Sequence, residues 1–571
     1  MKSIFYKILL ILLVTLQFSY GIEWRSFNGE GNNLVNPKYG VLGIPYQRLA
    51  KQRWPMSPNT TTGGGQDLPN VRMISNNLCQ QNQTFPSSRR IAYVFNLFGQ
   101  FITHSMTQNS NNQQQRYGIK IPKCDTSFDP NCTGNVTMGF SRSKIVEVDC
   151  SISDKYIREQ DGKCYEHVNT LSSYIDGNVV YGSSKNTSDK LRLFECGLMN
   201  SSSTQFGEFP PKGISGVIMF NDAKIVPDSE LFSCGESRAN ENIGLTSLHT
   251  LFLREHNRQA RIFKWKNPDW SDEDLFQHSR SCVIGQIQKI LNEEYLPILL
   301  GRSWGGYTGY SCNVDSSLYT EFNTAAFRFP HSEVPDHLSY LDENGTEIDR
   351  ISVRNMFTNP PALVKYGVEA VYRGIIYAIE EEIDTHIVSD IRNFLFGKPG
   401  QGGLDLFALD LNRNRENAIA SYNAMRRELG LRPARQWSDI SSKEEVQKKL
   451  SSIYSDINQV EVLIGAMSED KYRDSLLGET FYNIVYQQFY RTKKGDRFWY
   501  EVPQMRELNE KCELTTFSKL FKRNTHNIGP LPKKVFVVPK KTPREKLKKS
   551  NETYDFTQTD VEDSDYSEYD I

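Results

Sequence analysis

The sequence predicts a mainly α-helical protein built as one large domain with little β-structure. Apolar residues recur at helical spacing in several long segments, and the apolar–polar alternation typical of strands is scarce. Composition does not break between about residues 90 and 530, and no internal repeat is present. With 571 residues, 38% hydrophobic and 24% charged, the chain has the balance of a globular protein large enough to bury a substantial core.

Five segments carry the helical pattern. They are residues 89–104, 244–265, 280–301, 362–384 and 471–492. The first, RRIAYVFNLFGQFITH, places its apolar residues on one helix face, at Val94, Leu97, Phe98, Phe101 and Ile102. Gly301 is the predicted stop of the third helix. The loops between these helices hold much of the Gly, Pro and Cys.

The two ends of the chain differ from this helical region. Lys2 and Lys7 precede the short apolar run ILLILLVTLQF, which predicts a secretory signal peptide at residues 1–21, cleaved near Gly21. A membrane anchor is the alternative, but the run is short for a bilayer. Residues 22–90 are turn-rich and predict an irregular arm, 91–535 the helical domain, and 536–571 a disordered tail with a basic and an acidic block.

Cysteines and glycosylation signals also indicate export. Eight Asn-X-Ser/Thr sequons are present, at Asn59, Asn82, Asn131, Asn135, Asn186, Asn200, Asn344 and Asn551. Of 10 cysteines, six cluster between Cys124 and Cys234 without the close pairs of a zinc site, so most are expected to form disulfides. A net charge of −1 excludes a chain drawn to nucleic acid by its overall field.

Four polar sites stand out against the apolar helices. Gln100 and His104 lie about 40° apart on a helix, at the margin of its apolar face. The segment CGESRANE places Arg238 and Glu241 three residues apart before a long helix. His331 follows an aromatic run, and residues 409–430 carry Asn423 together with Arg426. Each site alone has an ordinary structural explanation, since polar groups at a core edge are common when they are hydrogen-bonded.

Taken together and in order, these motifs resemble those of the animal-type haem peroxidases, the superfamily of myeloperoxidase and peroxinectin. The motifs are FGQFITH, SRANE, LHTLFLREHNRQA, AFRFPHS, YNAMRR and GDRFWY, spread over about residues 25–530. A secreted peroxinectin-type peroxidase is the best match. The resemblance implies a helical domain with haem b buried between central helices. It also implies oxidation of small organic donors, halides or pseudohalides by hydrogen peroxide through an oxoferryl intermediate.

On the distal side, the resemblance implies three catalytic residues. His104 matches the distal histidine, which takes a proton from peroxide and returns it to the leaving oxygen as a general acid–base. Arg238 matches the arginine that stabilises negative charge while the O–O bond breaks. Gln100 matches the distal glutamine, whose amide holds a water or halide.

On the proximal side, the resemblance makes His331 the ligand of the haem iron. Asn423 is then expected to accept the hydrogen bond from its second ring nitrogen. Arg328 and Arg426 match residues near the haem propionates, and Glu241 matches a carboxylate that forms an ester with a haem methyl.

The sequence departs from the family pattern beside these residues. Thr103 stands where an aspartate usually forms the second ester, so at most one ester, through Glu241, is expected. Asn242 excludes a methionine sulfonium link, which makes strong chloride oxidation doubtful. Pro330 stands where glycine is commoner, so the backbone near His331 is expected to differ.

A calcium loop of the family is matched by LSSYIDGNVVYGS. Its candidate ligands are the side chains of Ser172, Asp176 and Asn178 and the carbonyl of Tyr174. Ser105 replaces the usual aspartate after the distal histidine. The loss of a carboxylate leaves calcium binding an open question.

Two other functions remain open at this stage. The first is a fatty-acid oxygenase on the same fold, which needs a radical-forming tyrosine after the proximal histidine; Tyr340 is the candidate. The second is an adhesion protein that uses the fold as a scaffold and binds a partner through Lys494-Gly495-Asp496. The complete set of matched catalytic residues favours the peroxidase.

Overall fold

A computed structural model describes residues 23–58, 64–150 and 156–541. Within these ranges the protein is mainly α-helical, which confirms the predicted fold class. The predicted signal peptide and nearly all of the predicted tail lie outside the described residues. None of the described helices is both long and apolar enough to cross a bilayer.

The helices follow the chain in this order. They are α1 (Val71–Cys79), α2 (Tyr93–Met106), α3 (Asn178–Tyr181), α4 (Lys185–Leu191), α5 (Ile243–Lys266), α6 (Asp272–Ile290), α7 (Leu296–Leu300), α8 (Thr320–Thr324), α9 (Pro360–Val364), α10 (Val368–Tyr377), α11 (Ser389–Asn393), α12 (Leu406–Glu416), α13 (Tyr422–Glu428), α14 (Glu444–Ile453), α15 (Val462–Ser468), α16 (Glu479–Lys494), α17 (Pro503–Glu510) and α18 (Phe517–Arg523).

The strands form four separate antiparallel ribbons. The pairs are β1 (Asn111–Lys120) with β2 (Thr137–Ser143), β3 (Ile145–Val148) with β4 (Cys164–His167), β5 (Ser202–Thr204) with β6 (Gly207–Phe209), and β7 (His337–Leu341) with β8 (Glu347–Ser352). Because no ribbon extends beyond two strands in the described chain, the core is made by helices.

Helix α2 is the centre of the core. Every residue of this helix is buried except Gln100 and Thr103, so it is apolar almost all round, as expected for a helix enclosed by others. It packs against α5 and α10. Phe98 stacks among the rings of Tyr295, Phe517 and Phe536. This packing fixes the one helix whose last turn carries His104.

Two glycines end or divide helices, the predicted stop at Gly301 and an unpredicted break at Gly367. Helix α6 continues through a π turn, Leu291–Tyr295, into α7, which ends at Gly301 with φ 69°. A residue with a Cβ avoids this backbone region, so Gly301 is the expected stop. The segment predicted as one helix over 362–384 is divided into α9 and α10 by Gly367, with φ 79°.

The arm predicted at residues 22–90 is largely irregular, but it contains helix α1 near its end. It is bound firmly to the domain. Arg25 pairs with Asp496 at 2.7 Å, and both side chains are buried. Arg72 pairs with Asp125 and Asp405 at 2.8 and 2.6 Å.

The domain does not end at residue 535, where the sequence analysis placed its boundary. Phe536 and Val538 are buried, and Val537 forms a β-bridge with Ile91 just before α2. The apolar segment VFVV therefore belongs to the core and not to the polar tail, because its side chains complete the packing around α2.

Three disulfides join Cys124 to Cys132, Cys150 to Cys164, and Cys282 to Cys512. Six of the 10 cysteines are therefore paired, as expected for most of them. The other four are Cys79, Cys196, Cys234 and Cys312, and two of these belong to the cluster expected to be disulfide-bonded.

Candidate active site

A cavity of about 300 Å³ opens beside the last turns of α2. It brings together six of the candidate site residues, from three separate segments: Gln100, His104, Arg238, Glu241, Arg328 and His331. Its apolar lining comes from Phe327, Val334, Val353, Met356, Phe357, Ile391, Leu395 and Leu406. The cavity lining therefore combines apolar side chains with charged groups.

His104 lies on the last turn of α2 and is only 6% exposed. Burial lowers the pKa of its imidazole well below the usual value, and the positive charges of Arg238 and Arg328 act in the same direction. The ring is therefore neutral near pH 7. Its Nδ1 lies 3.5 Å from Glu236 and its Nε2 lies 3.6 Å from Glu241.

Arg238 is held rigidly beside this histidine. Its Nε donates to Glu236 at 2.7 Å, and its Nη2 donates to the carbonyls of Thr107 at 3.0 Å and His104 at 3.3 Å. Its backbone N–H also donates to Glu236 at 2.8 Å. Since Arg238 lines the cavity, the geometry keeps a permanent positive charge next to the imidazole.

Gln100 lies one helical turn before His104 and faces the same cavity. Its Oε1 accepts a hydrogen bond from Nδ2 of Asn242 at 3.0 Å. Asn242 also caps α5, where its side chain accepts from the N–H of Leu245. Thr103, also in the lining, donates its hydroxyl to the carbonyl of Gly99 at 2.9 Å.

His331 lines the same cavity, at the end of the 3₁₀ segment Ala326–His331. We call the part of the lining around His331 the proximal wall and the part around His104 and Arg238 the distal wall. Its Nδ1 is 2.5 Å from Oδ2 of Asp410, a residue of α12. The carboxylate accepts only, so Nδ1 carries the ring proton and Nε2 is left with its lone pair. Pro330, the residue before it, accepts a hydrogen bond at its carbonyl from Asn96 at 2.6 Å, which ties this segment to α2.

The expected roles of Asn423 and Arg426 are wrong. Both residues lie on α13 and neither lines the cavity. Asn423 instead exchanges two hydrogen bonds with the backbone of Ala434, at 2.9 and 2.8 Å. Arg426 pairs with Glu469 and Glu479 at 2.8 and 2.7 Å. Their contacts stabilise the α13 region and do not reach the histidine.

Asp410 and Arg413, which the sequence analysis missed, occupy the places expected for Asn423 and Arg426. Asp410 holds His331, and Arg413 lines the cavity while donating to Ser143 at 2.7 Å. Arg328 lies nearby, with its Nη1 3.6 Å from Asp410. Two arginines therefore stand at the edge of the proximal wall, where they would meet anionic groups of a ligand.

A signal for this pair was present in the sequence. In LDLNRNRE, Asp410 and Arg413 are spaced three apart. That spacing places both side chains on the same face of a helix.

The residues present fit a haem. An imidazole whose Nδ1 donates to a carboxylate is the usual form of a haem or metal ligand, because the partner fixes the tautomer and raises the basicity of Nε2. The apolar lining suits a macrocycle, and Arg328 and Arg413 suit its two propionates. Nδ1 of His104 is buried without a hydrogen bond and lies 3.5 Å from Glu236, so it is Nε2, on the side of the cavity residue Glu241, that is left to face a ligand.

The candidate calcium residues are also brought together, but with a single carboxylate. Asn178 donates to the carbonyl of Ser105 at 2.6 Å, and Ser172 donates to Asp176. Burial raises the pKa of Asp176 to about 6. The hydroxyl of Ser105 and Oδ1 of Asn178 are buried without a partner. Tyr174 contributes no side-chain contact here, because its hydroxyl donates to Tyr39.

The residues on which the two alternative functions depend are not placed for those functions. Asp496 is fully buried and bonded to Arg25 and Asn32, so the Lys494-Gly495-Asp496 motif does not present its carboxylate to a partner. Tyr340 lies on β7 outside the cavity lining and donates to the carbonyl of Ala362 at 2.9 Å.

The fold is helical, and two histidines, His104 and His331, line its cavity together with Arg238 and Arg328. The sequence profile of the animal haem peroxidases matches residues 24–536. The chain belongs to this family, and it is a haem peroxidase, an oxidoreductase that uses hydrogen peroxide and a reducing donor.

Among characterised proteins, the chain is 46% identical to Peroxinectin A of Dictyostelium discoideum over 532 residues, which cover 92% of this chain and 98% of that protein. It is 30% identical to a peroxidase of Drosophila melanogaster, covering 84% of this chain and 73% of the other. The match to Dual oxidase 1 of Caenorhabditis elegans, at 29% identity, covers 84% of this chain but only 32% of that longer protein.

Solved structures show the same fold. Peroxidase A from Dictyostelium discoideum superposes with a TM-score of 0.87 at 47% identity, covering 90% of this chain and all of the other. The fatty acid alpha-dioxygenase of Oryza sativa superposes with a TM-score of 0.73 at 19% identity, covering 90% and 87%. The second likeness is one of fold alone.

Proposed function

We propose that this protein is a secreted peroxidase in which His104, Arg238 and Gln100 act on hydrogen peroxide while His331 holds the haem. The observation that supports this proposal most directly is the convergence of these residues on one cavity. When bound, the haem supplies the redox-active iron at which peroxide is reduced and donors are oxidised.

His104 is the general acid–base in this proposal. Its neutral imidazole takes a proton from hydrogen peroxide and returns it to the departing oxygen, so that water leaves. The lowered pKa of His104 keeps the ring in the accepting form. A charged ring at this position would repel both Arg238 and the incoming proton.

Arg238 stabilises the negative charge that develops on the departing oxygen. A guanidinium fixed by Glu236 and by two carbonyls needs no reorganisation when the charge appears, which is the condition for efficient electrostatic stabilisation. Gln100 orients the peroxide or a water through its amide, and Asn242 fixes the direction of that amide.

On the other wall, Asp410 fixes the ring of His331 so that Nε2 is the iron ligand. Arg328 and Arg413 bind the propionates. These assignments replace the earlier assignments of Asn423 and Arg426.

Glu241 forms the only ester to the haem in this proposal. Its side chain is 30% exposed at the cavity, so it can reach a bound haem, and burial raises the pKa of its carboxyl. Thr103 has no carboxyl to form a second link. The proposed donors are therefore small organic molecules and easily oxidised halides or pseudohalides, with weak oxidation of chloride.

The peroxidase assignment is tested by expressing the whole chain and purifying the secreted protein. We expect a Soret band, and peroxide-dependent oxidation of guaiacol. Acid-acetone should leave haem on the wild type and remove it from Glu241→Gln. A secreted protein without Soret absorption would overturn the enzyme assignment, and complete extraction from the wild type would overturn the ester alone. Oxygen uptake with a fatty acid, without peroxide, would favour the oxygenase.

Secretion rests on the predicted signal peptide, the sequons and the three disulfides. Recovery of glycosylated protein in the medium, starting near residue 22, tests it. Protein that stays in the cell with its apolar N-terminus intact would contradict it.

A weak calcium site at Ser105, Ser172, Asp176, Asn178 and the Tyr174 carbonyl completes the proposal. Two buried oxygens without partners suggest a missing ligand, whereas a single carboxylate predicts low affinity. Calcium should raise the melting temperature only at high concentration. Ser105→Asp, which adds a second carboxylate, should lower the concentration needed. An unchanged melting temperature in both proteins would exclude the site.

A further inference from the structure

One buried carboxylate that does not line the cavity lies beside two of the three proposed catalytic residues, Arg238 and His104. Glu236 is 3% exposed and lies two residues before Arg238. Its Oε1 accepts from Nε of Arg238 at 2.7 Å, and its Oε2 accepts from the Arg238 backbone N–H at 2.8 Å. The same Oε2 lies 3.5 Å from Nδ1 of His104.

The proximity of Glu236 to Nδ1 influences which nitrogen of His104 carries the proton. A neutral imidazole has one N–H, and a carboxylate only accepts hydrogen bonds. The proton is therefore favoured on the nitrogen that faces the more strongly buried carboxylate. The side chain of Glu236 is 2% exposed, whereas that of Glu241, near Nε2, is 30% exposed. Charge is less screened at Glu236 than at Glu241.

In the mature enzyme, Glu241 attracts the ring proton of His104 less strongly than Glu236 does. If Glu241 forms the proposed haem ester, it no longer carries a negative charge. Glu236 is then the remaining carboxylate within 4 Å of the His104 ring among the described residues. Nδ1–H points to Glu236, and the lone pair of Nε2 points to the cavity.

We propose that Glu236 is a positioning residue that sets the tautomer of His104 and the orientation of Arg238 at the same time. The proposal deepens the proposed function and rests on it, because it concerns how the same cavity accepts a proton from peroxide. Glu236 does not touch peroxide. It acts through the two side chains that do.

The first test is Glu236→Gln. The amide keeps the shape of the side chain but carries no charge and replaces one acceptor by a donor, so it no longer accepts from Arg238 on both oxygens and no longer attracts the N–H of His104. Changes to residues that orient a ligating or catalytic group typically cost about 10- to 100-fold. We expect a loss of this size in kcat/KM for peroxide, with kcat/KM for the donor unchanged. Glu236→Asp, which keeps the charge, should recover part of the loss.

Cyanide binding gives a readout that does not depend on turnover. Hydrogen cyanide must also lose its proton to a base in the pocket when it binds, so its association rate should fall by the same factor in Glu236→Gln. In haem-free protein, ¹⁵N NMR of the histidine rings should show Nδ1 of His104 protonated in the wild type and a mixture of tautomers in the variant. His104→Gln identifies the signal.

The matched control is Glu255→Gln. Glu255 is also a buried carboxylate bonded to arginines, at 2.6 Å from Arg523, but it lies outside the cavity lining. Its loss should lower stability and leave the peroxide and cyanide constants unchanged.

Three results would overturn the proposal. The first is a Glu236→Gln variant whose kcat/KM for peroxide and cyanide association rate equal those of the wild type. Another is an equal loss in the peroxide and donor constants, which indicates general damage. The third is an unchanged ¹⁵N spectrum of His104. A wild-type protein that binds haem but has no peroxidase activity would instead contradict the proposed function, and the ¹⁵N measurement would still test the role of Glu236.

Discussion

The two walls of the cavity hold their histidines in different ways. On the proximal wall, Nδ1 of His331 is 2.5 Å from Asp410, so the ring is fixed by a direct, charge-assisted hydrogen bond. On the distal wall, His104 has a carboxylate on each side, at 3.5 and 3.6 Å, and its buried Nδ1 makes no hydrogen bond. Both rings belong to one site, yet only one is tightly held.

This difference matches the two tasks. An iron ligand must keep one tautomer and one orientation throughout the reaction, and a short bond to a carboxylate provides both. A general acid–base must gain and lose a proton in each cycle, and a strong permanent hydrogen bond would favour one state at the expense of the other. The looser distal arrangement allows both states at a buried position.

The largest expected effect tests the distal side of this comparison. Replacing His104 with Gln removes the base while keeping a polar side chain of similar size. We expect kcat/KM for peroxide to fall about 10²- to 10⁴-fold, the usual contribution of a general acid–base. Stopped-flow mixing with peroxide measures this constant.

His256→Gln is its control, because His256 is also buried in α5 but binds Tyr181 and the Gly197 carbonyl. It should change stability only. If His104→Gln reacted with peroxide at the wild-type rate, His104 would not be the general base.

The next effect tests the proximal side. Asp410→Asn weakens the hydrogen bond that fixes His331, so haem affinity and activity should fall about 10- to 100-fold. Asn423→Ala should lower the melting temperature through the lost Ala434 contacts and leave the haem spectrum unchanged. Haem titration of both variants compares them directly. If Asn423→Ala lowered haem affinity and Asp410→Asn did not, Asn423 would be the partner of His331.

The smallest effect concerns the fixed amide of the distal wall. Asn242→Ser keeps a cap for α5 but loses the hydrogen bond to Gln100. One such bond contributes about 0.5–1.5 kcal/mol, so the peroxide constant should fall about two- to tenfold. The melting temperature should stay within about 2 °C. A loss as large as that of His104→Gln would show that Gln100 does more than orient a ligand.

The distal wall was largely predictable from sequence because its parts are local. Gln100 and His104 share one helix and could be placed by helical spacing, and Arg238 and Glu241 lie three residues apart in a turn just before α5. The contact between Glu236 and His104 joins residues 132 positions apart, and no local pattern predicts it.

The proximal partner was missed for a different reason. Asp410 and Asn423 lie on successive helices, α12 and α13, joined by a short turn. Both helices carry an arginine three residues after the candidate, so spacing alone does not decide between them. Asp410 and not Asn423 contacts His331 because α12 packs against the segment that ends at His331. Similarly, VFVV resembled part of a polar tail because its neighbours are charged, although its own side chains complete the core.

The bridge between Ile91 and Val537 has a consequence for biosynthesis. The backbone of Ala92 donates to the carbonyl of Phe536, and that of Val538 to the carbonyl of Arg90, both at 2.9 Å. Helix α2 begins at this point, and Phe536 packs on its first turns. The helix that carries His104 is translated well before the segment that fastens its start. In a nascent chain, α2 therefore lacks the packing of Phe536 until that later segment has been translated.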